Sequence, residues 1–193
     1  MKKIITSLII LFFSYSLISQ NQKADIIFND GTILEGLGMI MKNDKIKFRL
    51  SQDDESDIWT DLMVKGIIFY GFEIRAEYEY VKLDHNQPPK LLELINRGKV
   101  NLYNLKMTNS WSTLSYGNNG LIQGKDYYNN SSSHFYVKRG NEDIATSLKG
   151  NFKRKAREYF IDCDVIIEMI DSGEFRKYST EEIVEDYNIY CSD

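Results

Sequence analysis

Residues 72–80 show the clearest alternation of apolar and charged side chains in the chain. A period of two is typical of a β-strand with one buried face and one face in water. The sequence therefore predicts such a strand, with its charged row in solvent. The predicted buried row is Phe72, Ile74, Ala76, Tyr78 and Tyr80, and the predicted solvent row is Glu73, Arg75, Glu77 and Glu79.

Turn sequences separate several more strands of this kind before residue 84. Asn29-Asp30-Gly31 and Asn43-Asp44 are typical of the tight connections between antiparallel strands. We therefore predict that residues 20–84 form an antiparallel β-meander, either a small barrel or a sandwich-like sheet. Its other strands are predicted over residues 24–28, 32–41, 45–50 and 64–70.

The pattern changes over residues 85–150, which we predict to be a distinct part of the fold. Proline is favoured in the first turn of a helix and glycine stops one, so the sequence predicts a short helix from Pro89 to Arg97. The polar, glycine-rich residues 109–133 are predicted to form a mobile loop with its tip near residues 129–133. Strands are predicted on either side of it, over residues 99–107, 134–138 and 144–148.

A helical period begins at residue 151, so residues 151–193 are predicted to be a helical segment that packs on the sheet. Asn151 is suited to cap the first helix, and Gly173 to end the second. Ser179 and Glu182 have the spacing of a capping box at the start of a third helix. The fold class predicted for the whole chain is therefore α+β. The inward stripes are predicted to be Phe152, Ala156, Tyr159 and Phe160 in the first helix, and Ile183, Val184, Tyr187 and Cys191 in the last.

The first nineteen residues have the features of a secretory signal peptide. Lys2 and Lys3 precede an apolar stretch, and the small Ser19 offers a cleavage point. The apolar stretch is shorter than the roughly 20 residues that span a bilayer, although an uncleaved N-terminal anchor stays an alternative. We predict cleavage after Ser19, an exported protein of the periplasm, cell envelope or extracellular space, and no membrane span after cleavage.

Charge and composition narrow the function classes. The leader holds two of the 24 basic residues and none of the 28 acidic ones, which leaves the mature chain with 22 against 28 and a net charge of −6. Nucleic-acid binders concentrate basic charge on one face, so a nucleic-acid partner is not predicted. The thirteen tyrosines fit a β-sheet surface and core, or a stacking platform for sugar or peptide.

The two cysteines lie in the helical segment. In an oxidising compartment Cys163 and Cys191 are predicted to form a disulfide, the alternative being two buried free thiols. Their spacing is not that of a Cys-x-x-Cys redox motif, so the predicted bridge has a structural role.

Catalytic and metal-binding motifs are scarce. The two histidines, His85 and His134, stand near no Gly-x-Ser-x-Gly elbow, and zinc, Walker and dinucleotide motifs are missing from the sequence. Asp53, Glu55 and Asp57 alternate as in a calcium loop, but the glycine and the closing glutamate of an EF-hand are replaced. No metal and no cofactor is therefore predicted, and a weak adventitious calcium site at these residues stays the alternative. A basic cluster around the start of the first helix is either an anion or acidic-partner patch or a solvated face that balances the acidic last helix. This cluster comprises Lys149, Lys153, Arg154, Lys155 and Arg157.

Five segments of the mature chain form a recognisable series: residues 29–36, 98–103, 135–138, 159–163 and 183–188. In this order they resemble a group of uncharacterised exported proteins common in Bacteroidota. The resemblance covers most of the mature chain and implies export, with no activity that transfers to particular residues. Asp164 departs from the proline that members often have after the Asp-Cys pair.

These observations predict a non-catalytic binding or accessory protein of the envelope, with another protein or a surface glycan as its partner. Exposed aromatic residues dominate binding hot spots, so Trp59, Trp111 and Tyr116 are the predicted binding residues. The alternative is a carboxylate-dependent hydrolase of envelope polymers, which requires two acidic side chains that converge in a cleft. A third hypothesis is a sensor or assembly accessory that recognises a partner by adding a strand to an exposed sheet edge.

Overall fold

The computed structural model of the protein describes residues 22–71, 75–116, 122–175 and 180–191, and over residues 108–131 it describes the backbone alone. The predicted leader, Phe72 and Ile74 of the alternating strand, and the Ser179 cap lie outside these residues. The strands are β1 (Gln22–Phe28), β2 (Ile33–Ile40), β3 (Ile46–Arg49), β4 (Asp57–Trp59), β5 (Val64–Tyr70), β6 (Arg75–Val81), β7 (Lys90–Asn96), β8 (Val100–Tyr116), β9 (Ile122–Arg139) and β10 (Thr146–Ser147). The helices are α1 (Phe152–Tyr159), α2 (Asp164–Ser172) and α3 (Thr180–Tyr190).

All ten strands belong to one antiparallel sheet, in the order β10-β9-β8-β7-β6-β5-β1-β2-β3-β4. The predicted N-terminal meander is confirmed, and so is the α+β class. Three strands separate β6 from β3 in the sheet order. The hydroxyl of Tyr80 on β6 nevertheless donates a hydrogen bond to the carbonyl of Asp44, just before β3. The N-terminal half of the sheet is therefore curled, so that these two strands approach each other.

The inside of this curl is an apolar core. Gly38 on β2 permits its close packing, since a Cβ there would lie 2.5 Å from Cδ1 of Ile67 and 3.1 Å from Cβ of Ala24. Trp59 packs edge-on against Phe28 at the margin of this core, with 5.1 Å between the ring centroids. The buried members are Ala24, Ile26, Ile46, Phe48, Val64, Ile67, Phe69 and Leu91.

The three helices cover the other half of the sheet. Asn151 caps α1 by accepting a hydrogen bond from the backbone N–H of Arg154, and Gly173 ends α2 in a left-handed conformation. α3 packs on β7 and β8. The predicted disulfide is confirmed, because Cys163, before α2, is bonded to Cys191, after α3. The helix side chains buried in this core include Phe152, Ala156, Phe160, Ile166, Ile170, Ile183, Val184 and Tyr187.

The predicted helix from Pro89 to Arg97 is wrong, because this segment is strand β7. β7 pairs with β6 on one side and β8 on the other. Leu91 and Leu92 point to opposite faces of the sheet and both are buried. Apolar cover on both faces allows adjacent leucines in a strand, which removes the period of two and resembles the pattern of a short helix.

The predicted mobile loop over residues 109–133 is also wrong. Most of it belongs to β8 and β9, which pair without interruption from Val100↔Arg139 to Ser115↔Gly124. The segment placed at the loop tip, residues 129–133, lies within β9, and the chain reverses between Tyr116 and Ile122. Serine, asparagine and glycine suggested a loop, but the Thr, Trp and Tyr residues among them also suit the pleated surface of a ribbon.

Candidate functional site

The hairpin of β8 and β9 extends beyond its neighbours in the sheet. The pairing of β8 with β7 ends at Glu93↔Asn104. β7 begins at Lys90, three residues before Glu93, so it does not accompany β8 beyond Met107. Residues 108–116 and 122–131 therefore form a two-stranded ribbon, and we call the segment 108–131 the hairpin arm. Its nine residues in β8 after Met107 span about 30 Å at the rise of a strand.

The outer edge of β9 is open along most of its length. β10 pairs with β9 only at Thr146↔Val137 and Ser147↔Tyr136. In the described residues no other strand pairs with that side of β9. An open edge presents a row of backbone N–H and C=O groups, which is a template for a further strand.

Two of the predicted binding residues belong to the hairpin arm. Trp111 lies opposite Tyr128 in the register, and Tyr116 lies opposite Ile122 at the end of the ribbon. Their side chains lie outside the described part of the structure, so their role in binding stays a prediction. Trp59 is remote from them on β4, at the opposite edge of the sheet, where its ring packs against Phe28. The structure therefore does not bring the three aromatic residues together.

Two carboxylates converge on the outer face of β6. Arg97 donates hydrogen bonds to Glu77 and, at 2.9 Å, to Oε1 of Glu79. The hydroxyl of Tyr103 donates to Oε2 of Glu79 at 2.8 Å, and Nζ of Lys65 lies 3.4 Å from Oε1. The prediction that Glu79 lies in solvent is wrong, because its residue exposure is 5%. A buried carboxylate needs such partners to remain charged. Among them, Arg97 stabilises the charged form of Glu79 the most.

The electrostatics of this pair do not suit acid catalysis. Burial alone would raise the pKa of Glu79, but the hydrogen bonds from Arg97 and Tyr103 outweigh it and hold this pKa below its ordinary value. The general acid of a glycosidase requires a raised pKa. The cluster therefore works as an ion-paired anchor for β6, β7 and β8, and Glu79 does not fit the acid that the hydrolase alternative requires.

Sequence reasoning missed this cluster for an identifiable reason. Arg97 follows β7, which the sequence pattern predicted as a helix. Without a strand there, the sequence could not predict that Arg97 lies beside Glu79. The signal was present in the strand register, since Glu79 lies opposite Leu92 and Glu77 opposite Leu94. Leu92 is fully buried, and a residue directly opposite it on the same face shares that burial.

A second polar network joins the helices to β9 through Arg139. Its guanidinium carbon lies 4.4 Å from the centroid of the Tyr159 ring, and Nη2 donates to Oδ1 of Asp162 at 2.8 Å. The hydroxyl of Tyr187 donates to Oδ2 of Asp162 at 2.7 Å, and that of Tyr159 to Glu142 at 2.9 Å. Every charged group named here has a partner within the network. The network therefore holds the helices on the sheet and leaves none of these charges for a ligand.

A cavity of about 510 Å³ lies where β10 ends and the edge of β9 opens. Its apolar walls are Phe135, Leu148 and Phe152, and its polar side includes His134 and Lys149. Nζ of Lys149 lies 3.4 Å from Nε2 of His134. The cavity therefore combines an apolar interior with a cationic side, a composition that suits a small ligand.

Most of the predicted basic cluster is neutralised locally. Lys153 and Arg157 both pair with Asp171, and Arg154 pairs with Glu158. The ammonium of Lys155 donates to the backbone carbonyls of Ser147 and Lys149. These contacts favour the solvated-face interpretation for four of the five residues. The fifth, Lys149, lines the cavity.

Within residues 22–71, 75–116, 122–175 and 180–191, no group of three or more His, Cys, Asp or Glu side chains is placed to hold a metal ion. None of the helices described in these ranges has the length and apolar character that crossing a membrane requires. Compared with known protein families, curated proteins and solved structures, the chain has no match.

Proposed function

We propose that this is an exported, non-catalytic binding protein that holds an extended segment of another protein along the open edge of β9. One observation carries the proposal. β9 has 18 residues, and in the described structure β10 covers its outer edge at only Tyr136 and Val137. Addition of a strand satisfies the exposed backbone groups through main-chain hydrogen bonds.

The composition of the hairpin arm supports this role. Proteins protect exposed edges with proline, inward charges or bulges. The arm has no proline, and its only charged residues are Lys125 and Asp126. A two-stranded ribbon is only marginally stable alone in water, so a third strand would stabilise the arm as well as bind to it.

Export is supported by the disulfide and by the sequence of the leader. A bridge such as Cys163–Cys191 persists in oxidising compartments. Sequencing the N-terminus of the protein recovered from the exported fraction tests this part of the proposal. We expect it to begin at Gln20, and a start far from that residue contradicts the predicted cleavage after Ser19.

An armless variant tests the binding surface. Met107 and Ser132 lie opposite each other in the register, so residues 108–131 can be replaced by Asn-Gly, a sequence that closes a two-residue hairpin turn. We expect the variant to fold, since the described pairs of β8 with β7 and of β9 with β10 lie outside the arm. The full chain, cross-linked in intact cells and purified by a tag, should recover a protein partner that the armless variant does not.

Three outcomes would contradict the proposal. Recovery of the same partners by a folded armless variant would remove the arm as the binding surface. If the tagged full chain still binds material from an envelope fraction that was digested with protease before the two were mixed, the ligand is a glycan. A dimer of the full chain in sedimentation, lost in the armless variant and accompanied by no other protein, would replace the partner with a second copy.

A further inference from the structure

The cavity beside β10 differs from the binding edge in chemistry. Phe135, Leu148 and Phe152 provide apolar walls, and Leu148 and Phe152 are themselves buried in the helical core. At about 510 Å³ its volume lies within the range typical of small-molecule sites. An apolar tail therefore fits its interior.

Lys149 gives one side of the cavity a positive charge. Its Nζ lies 3.4 Å from Nε2 of His134. Because an ammonium only donates, Nε2 of His134 is the acceptor in this contact. Among the described residues no carboxylate lies within ion-pair distance of Lys149, in contrast to Lys153. A ligand anion would supply the missing counter-charge in a protein that is acidic overall.

We propose that this cavity binds a small apolar monocarboxylate, with its tail against Phe135, Leu148 and Phe152 and its carboxylate against Lys149. The same chemistry occurs in a free acid and in the apolar C-terminal residue of a peptide. The free acid is the ligand we assign, because the cavity is a pocket at the side of β9, whereas an extended peptide needs the length of the edge. The site is independent of the proposed binding of an extended protein segment, since its wall residues lie outside the hairpin arm.

Three matched probes test the recognition of charge. 3-Phenylpropanoate, 3-phenylpropanol and 3-phenylpropylamine share one tail and differ in the end group. We expect titration calorimetry or ligand-observed NMR with the full oxidised chain to show the acid binding about tenfold more tightly than the alcohol, and the amine more weakly than either. Equal affinity for acid and alcohol, or no binding of the acid at millimolar concentration, overturns the proposal.

Two variants with the same change of charge locate the site. Lys149→Gln should weaken binding of the acid about tenfold and leave the alcohol unaffected. Lys153→Gln is the matched control, because Lys153 pairs with Asp171. Equal losses in both variants would indicate non-specific electrostatic attraction and contradict the assignment. Both residues are exposed, so neither variant should disturb folding.

Two further experiments distinguish a free acid from a peptide terminus as the ligand, and the cavity site from the proposed binding edge. A short peptide ending in phenylalanine that binds more tightly than the free acid, and loses its binding when amidated, would transfer the site to a chain terminus and overturn the assignment. The armless variant should bind 3-phenylpropanoate like the full chain. Loss of acid binding in a folded armless variant would place the acid site in the arm and contradict the cavity assignment.

Discussion

Glu79 shows how a single charged residue is accommodated inside a sheet. It lies opposite the fully buried Leu92, so its carboxylate is withdrawn from water. Arg97, which is itself partly in solvent, and Tyr103 supply hydrogen bonds to both of its oxygens. An exposed guanidinium costs little to desolvate, whereas the buried carboxylate depends on it. The side chain of Glu79 is therefore more important for stability than its position in an alternating charged row suggests.

Replacing Glu79 tests this dependence. Glu79→Gln removes the charge and weakens the bonds to Arg97 and Tyr103, so we expect the free energy of unfolding to fall by about 1–2 kcal/mol. Glu35→Gln is the control, since Glu35 is exposed and should change stability by no more than about 0.5 kcal/mol. Urea unfolding of both variants measures the difference. Equal effects would show that the contacts of Glu79 do not stabilise the fold.

At the scale of the element, Asn188 joins α3 to the β7–β8 hairpin. Its Oδ1 accepts from the N–H of Val100 at 2.9 Å, and its Nδ2 donates to the carbonyl of Val100 at 2.8 Å. The side-chain amide thus pairs with one residue of β8 as a neighbouring strand would. The close approach requires glycine at position 98, where a Cβ would lie 2.4 Å from Cγ of Asn188.

A double-mutant cycle tests this junction. Asn188→Ala leaves the N–H of Val100 without its acceptor, and we expect a loss of about 2 kcal/mol in unfolding free energy. Gly98→Ala should cost a comparable amount by displacing the amide. The double variant should lose less than the sum of the two, because both changes remove the same contact. Full additivity would contradict the steric coupling, and Glu185→Ala on the exposed face of α3 is the control.

Elements with a clear period of apolar residues could be predicted from the sequence. Elements that depend on pairing with strands distant in the sequence could not. The three helices have apolar stripes and local caps such as Asn151 and Gly173, so their signals are contained within each segment. β7 and the hairpin arm depend on pairing with distant strands, and their local composition favoured a helix and a loop. The open edge of β9 follows from the length of β10, which no local pattern encodes.

On the scale of the whole molecule, the disulfide joins the start of α2 to the end of the last helix. Cys163 and Cys191 close a loop of 28 residues. The chain-entropy relation assigns about 3–4 kcal/mol to such a loop. We therefore expect the variant Cys163→Ala/Cys191→Ala, compared with the oxidised protein by urea unfolding, to be less stable by that amount. No loss of stability would contradict a structural role for the bridge.

The stability of the molecule should also depend on pH at both extremes. The pKa values of Glu79 and Asp162 are lowered in the folded state, so the stability they contribute is present above their unfolded pKa values near 4 and is lost as the pH falls below them. Burial, with the nearby charges of Asp61 and Asp44, raises the pKa of Tyr80 to about 12, so its contribution is present below its unfolded pKa near 10 and declines as the pH rises towards 12.

Urea midpoints measured across this range test the two limits. We expect a plateau around neutral pH, a decline below about pH 5 and another above about pH 10. Tyr80→Phe should reduce the alkaline decline without altering the acid side. A variant profile that matches the parent above pH 10 would show that Tyr80 does not cause that decline.

Because the register of β8 and β9 is uninterrupted from Val100 to Ser115, the length of the hairpin arm can change without altering its pairing. Each residue removed from both strands shortens the ribbon by about 3.3 Å, and removal in twos keeps every remaining side chain on its own face. Insertions and deletions of this kind leave the body of the protein unchanged. Relatives that differ in the length of this hairpin by multiples of four residues would present the same surface at different distances, as spacers of graded length.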